Sequence, residues 1–483
     1  MPAKLLRQTR HTIRKWSWSA RIAVTYSLSV TLICLPFKPN IDAIAFGVLQ
    51  GLLFWSCFRW CRRPVYEGAF NFASPLAIVN SLSFAYYGVA NIPEYLIPDL
   101  IYSHNKGAEE FYIPALAIAV ASTFAVDWSY RTVSHTLHEG HGQYPSTATL
   151  REFRLGHHAT GAIGLLGTAA LALMLYCALK YDITSPHQIL TDTAIDNILI
   201  LSFRGMAATV AVAFTYRLSR TPNIRNAVLC LVMIGTLAPM VLMVASRLVL
   251  FSAILCIYLV FVLIRGSVKR RHVLLLSILL LTGWFVVRAV KDSRGLLRDT
   301  GAVSGEQLSS TIADRSSVDF GYRLAGLDFV AALWNEQVEN QRPAMFGQEA
   351  LDSLLEAVPS VLWPEKQILD PKEVIYEHYS LFEVEDQIMT PLPSALADAG
   401  ALGAIVIMAM FGGVLCVLQH CILRARYGML VYLCSLPYLF YFEDNGVDYL
   451  LLYGRFTLVV WIVLMAARDL HLLVAWPTTS HAR

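Results

Sequence analysis

The sequence predicts an all-α fold: a polytopic integral membrane protein of about twelve transmembrane helices, with one large extracytoplasmic loop carrying short amphipathic helices. Three observations predict it. Of the 483 residues, 56% are hydrophobic and only 15% charged, with a mean hydropathy of +0.52, whereas soluble domains average roughly 45–50% apolar and 25% charged. Apolar stretches of about 17–25 residues recur along the chain, each long enough to cross a hydrocarbon core roughly 30 Å thick as a helix. The connections between them alternate between basic and nearly cation-free, the asymmetry that orients membrane proteins.

Taken in order, the N-terminal segment MPAKLLRQTRHTIRKWSWSAR is basic. No small-residue cleavage site follows its apolar run, so the first helix reads as retained and not as a removed signal peptide. Spans are predicted at 20–37, 41–58, 70–90, 111–130, 159–178, 194–215, 226–245, 248–264, 272–289, 399–418, 428–442 and 450–467. Connections containing RWCRR, RTVSHTLHEG with REFRLGHH, RLSRTPNIR, RGSVKRRH and RAR share a side with the basic N-terminus. By the positive-inside rule that side is the cytoplasm, and both termini lie there. The chain is then a single integral domain over 1–483: nine helices within 20–289, an outer loop over 290–398 and three helices within 399–467. The nine cysteines fall in or beside apolar segments, where a free thiol behaves as a small hydrophobe. A disulfide framework is not expected.

The loop does not read as a linker. Between Arg323 and Asn340, Leu324, Leu327, Val330, Leu333, Trp334 and Val338 recur at helical spacing, which predicts a helix lying on the bilayer surface. Between Gly347 and Lys366 a second short amphipathic segment is ended by Pro359 and Pro364. The loop's first third mixes cations and anions about equally, and from Leu324 to Asp398 carboxylates predominate.

Arg288, Lys291, Arg294 and Arg298 cluster where the ninth span meets this loop. Guanidinium groups bind phosphate bidentately and stay charged at any working pH. Several of them at a membrane exit suit a lipid-linked pyrophosphate whose tail stays in the bilayer. The competing reading is that they snorkel to headgroups and fix the helix; against it, this is the face where the positive-inside bias leaves few cations. Arg247 sits in the tight connection between the seventh and eighth spans, flanked by apolar residues, a costly place for an arginine unless it faces a polar cavity or a partner. Arg204 and Arg455 lie deeper in their spans, and Asp444 and Asp448 are candidate partners for Arg455.

A different chemistry is raised by His135, His138, His141, His157 and His158 on the cytoplasmic side, because histidine boxes hold iron in membrane hydroxylases. The set is short of a full box and is interrupted by a polar spacer with Pro145, so no metal site is assigned. No Walker loop, dinucleotide glycine fingerprint or nucleophile elbow occurs. No cofactor and no nucleic-acid partner are implied.

The order of ASRLVLFSAILCIYLVFVLI (Ala245–Ile264), a further span, a long outer loop with VPSVLWPEK (Val358–Lys366), and TPLPSALADAGALGAIVIMAMFGG (Thr390–Gly413) entering the next span resembles the Wzy-type O-antigen and repeat-unit polysaccharide polymerases, relatives of the O-antigen ligases. Ser246-Arg247, Pro359 to Lys366 and the Gly400/Gly403 pair fill the places of that family's motifs. Where the ligases carry a His-Asn pair before the G-x-x-G helix, this chain reads MTPLPS, and the nearest upstream histidine is His378. The resemblance implies a metal-independent glycosyltransferase of the bacterial inner membrane that extends a surface polysaccharide on its outer face. Its partners would be undecaprenyl-pyrophosphate-linked glycans, membrane lipids and a chain-length regulator. It implies Arg247, Arg294 and His378 as catalytic residues, with Arg288, Arg298, Arg315 and Arg323 completing a pyrophosphate clamp. A ligase acting on another acceptor and a flippase of lipid-linked oligosaccharides are the alternatives.

Overall fold

The computed structural model describes residues 20–62, 74–96, 108–139, 212–218, 221–235, 326–358, 371–381, 389–425, 428–440 and 448–474, with isolated positions between them. Among these residues the chain is helical and holds no strand. The elements are α1 (Ala20–Cys34), α2 (Asn40–Arg62), α3 (Pro75–Tyr87), α4 (Tyr112–Glu139), α5 (Ile224–Gly235), α6 (Gly326–Val338), α7 (Gln348–Ala357), α8 (Pro371–Tyr379), α9 (Pro391–Arg424), α10 (Gly428–Ser435) and α11 (Tyr449–Val474). A short helix Ile92–Leu96 follows α3, and a 3-10 turn Leu436–Phe440 follows α10.

Four of the described helices are long and apolar enough to cross a membrane, through Asn40–Cys57, Tyr112–Leu137, Pro391–Arg424 and Tyr449–Ala466. They match the predicted second, fourth, tenth and twelfth spans. α1 is shorter than the predicted first span, and α3, with 13 residues, is about 20 Å long at 1.5 Å per residue, too short to cross alone. The predicted eleventh span is α10 tightened into a 3-10 turn around Pro437. The predicted spans at 159–178, 248–264 and 272–289, and most of 194–215, lie outside the described residues.

The membrane reading gains support from what the helices leave uncovered. On α9, Leu402, Val406, Met410, Val414 and Val417 are 82%, 60%, 65%, 47% and 43% exposed. They fall three and four apart, on one face. In water each would forgo a large part of the roughly 1.5–3 kcal/mol that full burial of such a side chain contributes, and a soluble helix does not repeat that loss at every turn. Lipid removes it.

The opposite faces pack closely through small residues. At Gly47 and Gly51 of α2, an added Cβ would run into Ser27 and Thr31 of α1, the small-xxx-small contact that lets membrane helices approach. At Gly412 of α9 it would run into the Val126 carbonyl of α4, and this α4–α9 contact is the most extensive among the described helices. Polar side chains here find partners across and along the helices: Tyr130 of α4 donates to Gln419 of α9, and Arg131 meets Asp127 at 3.1 Å one turn away on α4. Paired charge is what an apolar surrounding tolerates.

α6 corrects the predicted surface helix. The predicted periodicity is present, but Gly326 through Leu333 are buried all round, because α6 packs against α9, α4 and the 3-10 turn Ala108–Phe111 instead of lying flat. Asp328, inside this buried stretch, accepts from Tyr112 Oη at 2.9 Å. The Leu327 amide at the helix start is met by Asn91 Oδ1 at 3.3 Å. The second amphipathic segment is α7, which ends with Val358 as its C-cap, just before the proline at 359, as expected where the residue before proline is pushed out of helix.

Candidate functional site: a broken helix and its clasp

α9 is two helices joined at a break. Gly400 has φ 66 and ψ −178, a conformation essentially confined to glycine. An added Cβ there would meet only Gln337 Oε1, at 3.9 Å. Backbone conformation, not crowding, therefore demands the glycine. A helix end exposes carbonyls without intrahelical partners, and here the loop supplies them. Gln337 Nε2 of α6 donates to Leu396 O at 2.9 Å. Tyr379 Oη of α8 donates to Ala397 O at 2.8 Å. The Met345 and Phe346 amides donate to Ala397 O and Asp398 O at 3.0 and 2.8 Å.

Asp398 closes the clasp from the other side. Its carboxylate oxygens accept from the Glu349 amide at 3.0 Å and the Ala350 amide at 2.8 Å. These are first-turn donors of α7, whose own N-cap, Gly347, has no side chain to offer. A carboxylate at a helix N-terminus is favoured by the local dipole as well as by the bonds. Asp398 is 1% exposed and Glu349 fully buried. At the start of α9, Thr390 is buried and hydrogen-bonded to Tyr87 of α3. Gly446 lies so close to the Glu349 carboxylate and the Ser394 hydroxyl that an added Cβ would force them to shift. The heads of α9 and α11 are thereby drawn together through α7.

On the accessible side of the clasp sits His378, in the last turn of α8. Its Nε2 lies 2.9 Å from Pro343 O. A carbonyl only accepts, so the ring donates from Nε2, and in its neutral form the Nδ1 lone pair is left to take a proton. Arg342 donates to His378 O at 2.6 Å, and its Nε meets Glu336 Oε2 at 3.3 Å. The His378 ring stands edge-on to Tyr379, centroids 4.7 Å apart. Burial raises the Tyr379 hydroxyl above the ordinary tyrosine range; the Gln337 bond lowers it and the Asp398 charge raises it further. It therefore works as a neutral donor.

Of the sequence-predicted site residues, His378 is placed here. Arg247, Arg288, Arg294, Arg298, Arg315 and Arg323 lie outside the described residues, as do Arg204, Asp444 and three of the five clustered histidines, His141, His157 and His158; His138 falls in the last turn of α4. His135 is on the exposed side of α4, and Arg455 stands over the Phe456 ring at 5.2 Å. Sequence reading missed Arg342, Glu336, Gln337, Tyr379 and Asp398. Asp398 had a signal, an acid two residues ahead of a glycine inside an otherwise apolar run. Arg342 had none, since it lies in a polar turn. Comparison with protein-family models, curated proteins and solved structures finds no match to this chain.

Proposed function

We propose that the chain lengthens a polysaccharide by transferring a growing glycan from its undecaprenyl pyrophosphate carrier to a sugar hydroxyl of the next lipid-linked repeat unit, at the outer face of the inner membrane. The observation that carries this reading is the pairing of a proton acceptor and a fixed cation, His378 and Arg342, on a loop clasped to the head of a membrane-length helix. Water-borne sugars and a lipid-anchored diphosphate meet at such a level.

In the reaction, the acceptor oxygen forms a bond to the anomeric carbon as the bond from that carbon to the carrier phosphate breaks. The acceptor proton goes to His378 Nδ1, and the electron pair of the broken bond leaves on the lipid diphosphate. Fixed guanidinium groups stabilise the charge that develops there. Arg342 is the described candidate; Arg247, Arg288, Arg294, Arg298, Arg315 and Arg323 are proposed to complete the clamp from the segments around the loop.

Deletion of the gene tests the reading. Lipid-linked single repeat units should accumulate while long chains disappear, and chains of normal length would overturn it. Long chains that form but stay on the carrier would instead identify a ligase.

A further inference from the structure

The break in α9 carries a feature that glycan transfer does not use. Phe346 is 86% exposed and has φ 52, a left-handed conformation that disfavours bulky side chains. Its amide is fixed to Asp398 O at 2.8 Å, so the turn holds the ring outward. In α7, which follows at once, Leu351 and Leu354 share a face and are 57% and 50% exposed, while Glu349 on the opposite side is buried.

The helix that carries this surface is tied to two helices with uncovered apolar residues. α7 is bonded to Asp398 at the head of α9 and touches α11. The exposed apolar residues of those helices begin just past the break in α9, with Leu402 at 82%, and in the first turn of α11, with Leu451 at 43%. In water, the chain would carry a strained backbone at Phe346 and three bare apolar side chains with no return. In the boundary layer of a bilayer all three side chains leave water.

We propose that Phe346, Leu351 and Leu354 form an interfacial anchor that inserts among the acyl chains of the phospholipid leaflet at this end of the bundle, extending the lipid-facing stripe of α9. α7 contains Glu349, Asp352 and Glu356 and no cation, so apolar burial and not headgroup charge holds it there. A zwitterionic phospholipid suffices. The anchor fixes the level at which His378 and Arg342 stand above the hydrocarbon, and it does not depend on which reaction they serve.

Photo-crosslinking tests it. Benzoylphenylalanine replaces Phe346, Leu351 or Leu354 in separate full-length variants reconstituted in phosphatidylcholine vesicles. Leu402 serves as the lipid-facing reference and Gln341, an exposed polar turn residue, as the control. Illumination should add the mass of one phospholipid at 346, 351, 354 and 402 and none at 341. Labelling at 402 without labelling at the other three overturns the anchor, as does equal labelling at 341 or a crosslink to a second copy of the chain. Absence of labelling at 402 as well removes the lipid-facing stripe on which the anchor rests.

Discussion

The two halves of α9 share one apolar sequence and have opposite surroundings. Before Gly400, every residue from Pro391 to Asp398 is buried, and the carbonyls at its end are held by α6, α8 and the turn before α7. After it, one face meets α4 through Gly412 while the other, from Leu402 to Val417, is uncovered. Hydrophobicity alone cannot set such a boundary, because both halves have it. What sets it is one glycine conformation, one carboxylate and a small number of hydrogen bonds. The lower half has the length and the uncovered apolar face of a helix that could cross a membrane, and the upper half is the floor on which the loop is built.

The comparison can be broken at either end. The largest effect is expected below the break, at Gly412→Leu, where the new side chain meets the Val126 backbone, which cannot yield as a side chain can. Overpacking of this kind costs about 3 kcal/mol or more, and the amount of monodisperse protein extracted from membranes should fall sharply. Above the break, Asp398→Ala strands the Glu349 and Ala350 amides at a cost of about 2–3 kcal/mol. Limited proteolysis should then cut near α7 while α4 and the lower part of α9 stay protected. Gly400→Ala meets open space but a forbidden backbone, for about 1–2 kcal/mol, and should loosen the same segment less. Tyr379→Phe removes the donor to Ala397 O and the acceptor for Gln337. About 1 kcal/mol is expected, read as a small drop in the thermal midpoint. If Asp398→Ala weakens the α4–α9 contact as much as Gly412→Leu does, the halves are not separate.

Hydropathy placed the long helices well, because a span of lipid thickness leaves a continuous apolar record: 41–58, 111–130, 399–418 and 450–467 all fall on helices of membrane length. It placed α3 and α10 less well, since a buried helix inside a bundle is as apolar as one that crosses it, and length is then a poor guide. The helical periodicity of α6 was legible, but its burial was not. The same stripe of Leu327, Val330 and Leu333 fits a bilayer surface or a protein interior, and only the tertiary partners decide. For the site, His378 was reached through its position before the G-x-x-G helix. The clasp around it was hidden for a physical reason: it is made mostly of backbone carbonyls and amides, which every sequence possesses. Gln337, Tyr379 and Asp398 gain their roles from a break that a single glycine makes possible.

Chain elongation by the purified protein tests the proposed reaction most directly. Full-length protein in phospholipid vesicles is given labelled undecaprenyl-pyrophosphate-linked repeat units in a chelating buffer. A ladder of lengthening products is predicted, with one carrier diphosphate released for each bond made, and His378→Ala should abolish the ladder while the protein remains folded in the vesicle. A His378→Ala protein that elongates chains as fast as the unchanged one would contradict the assignment of the base, and wild-type protein that makes no ladder would contradict the polymerase reading itself.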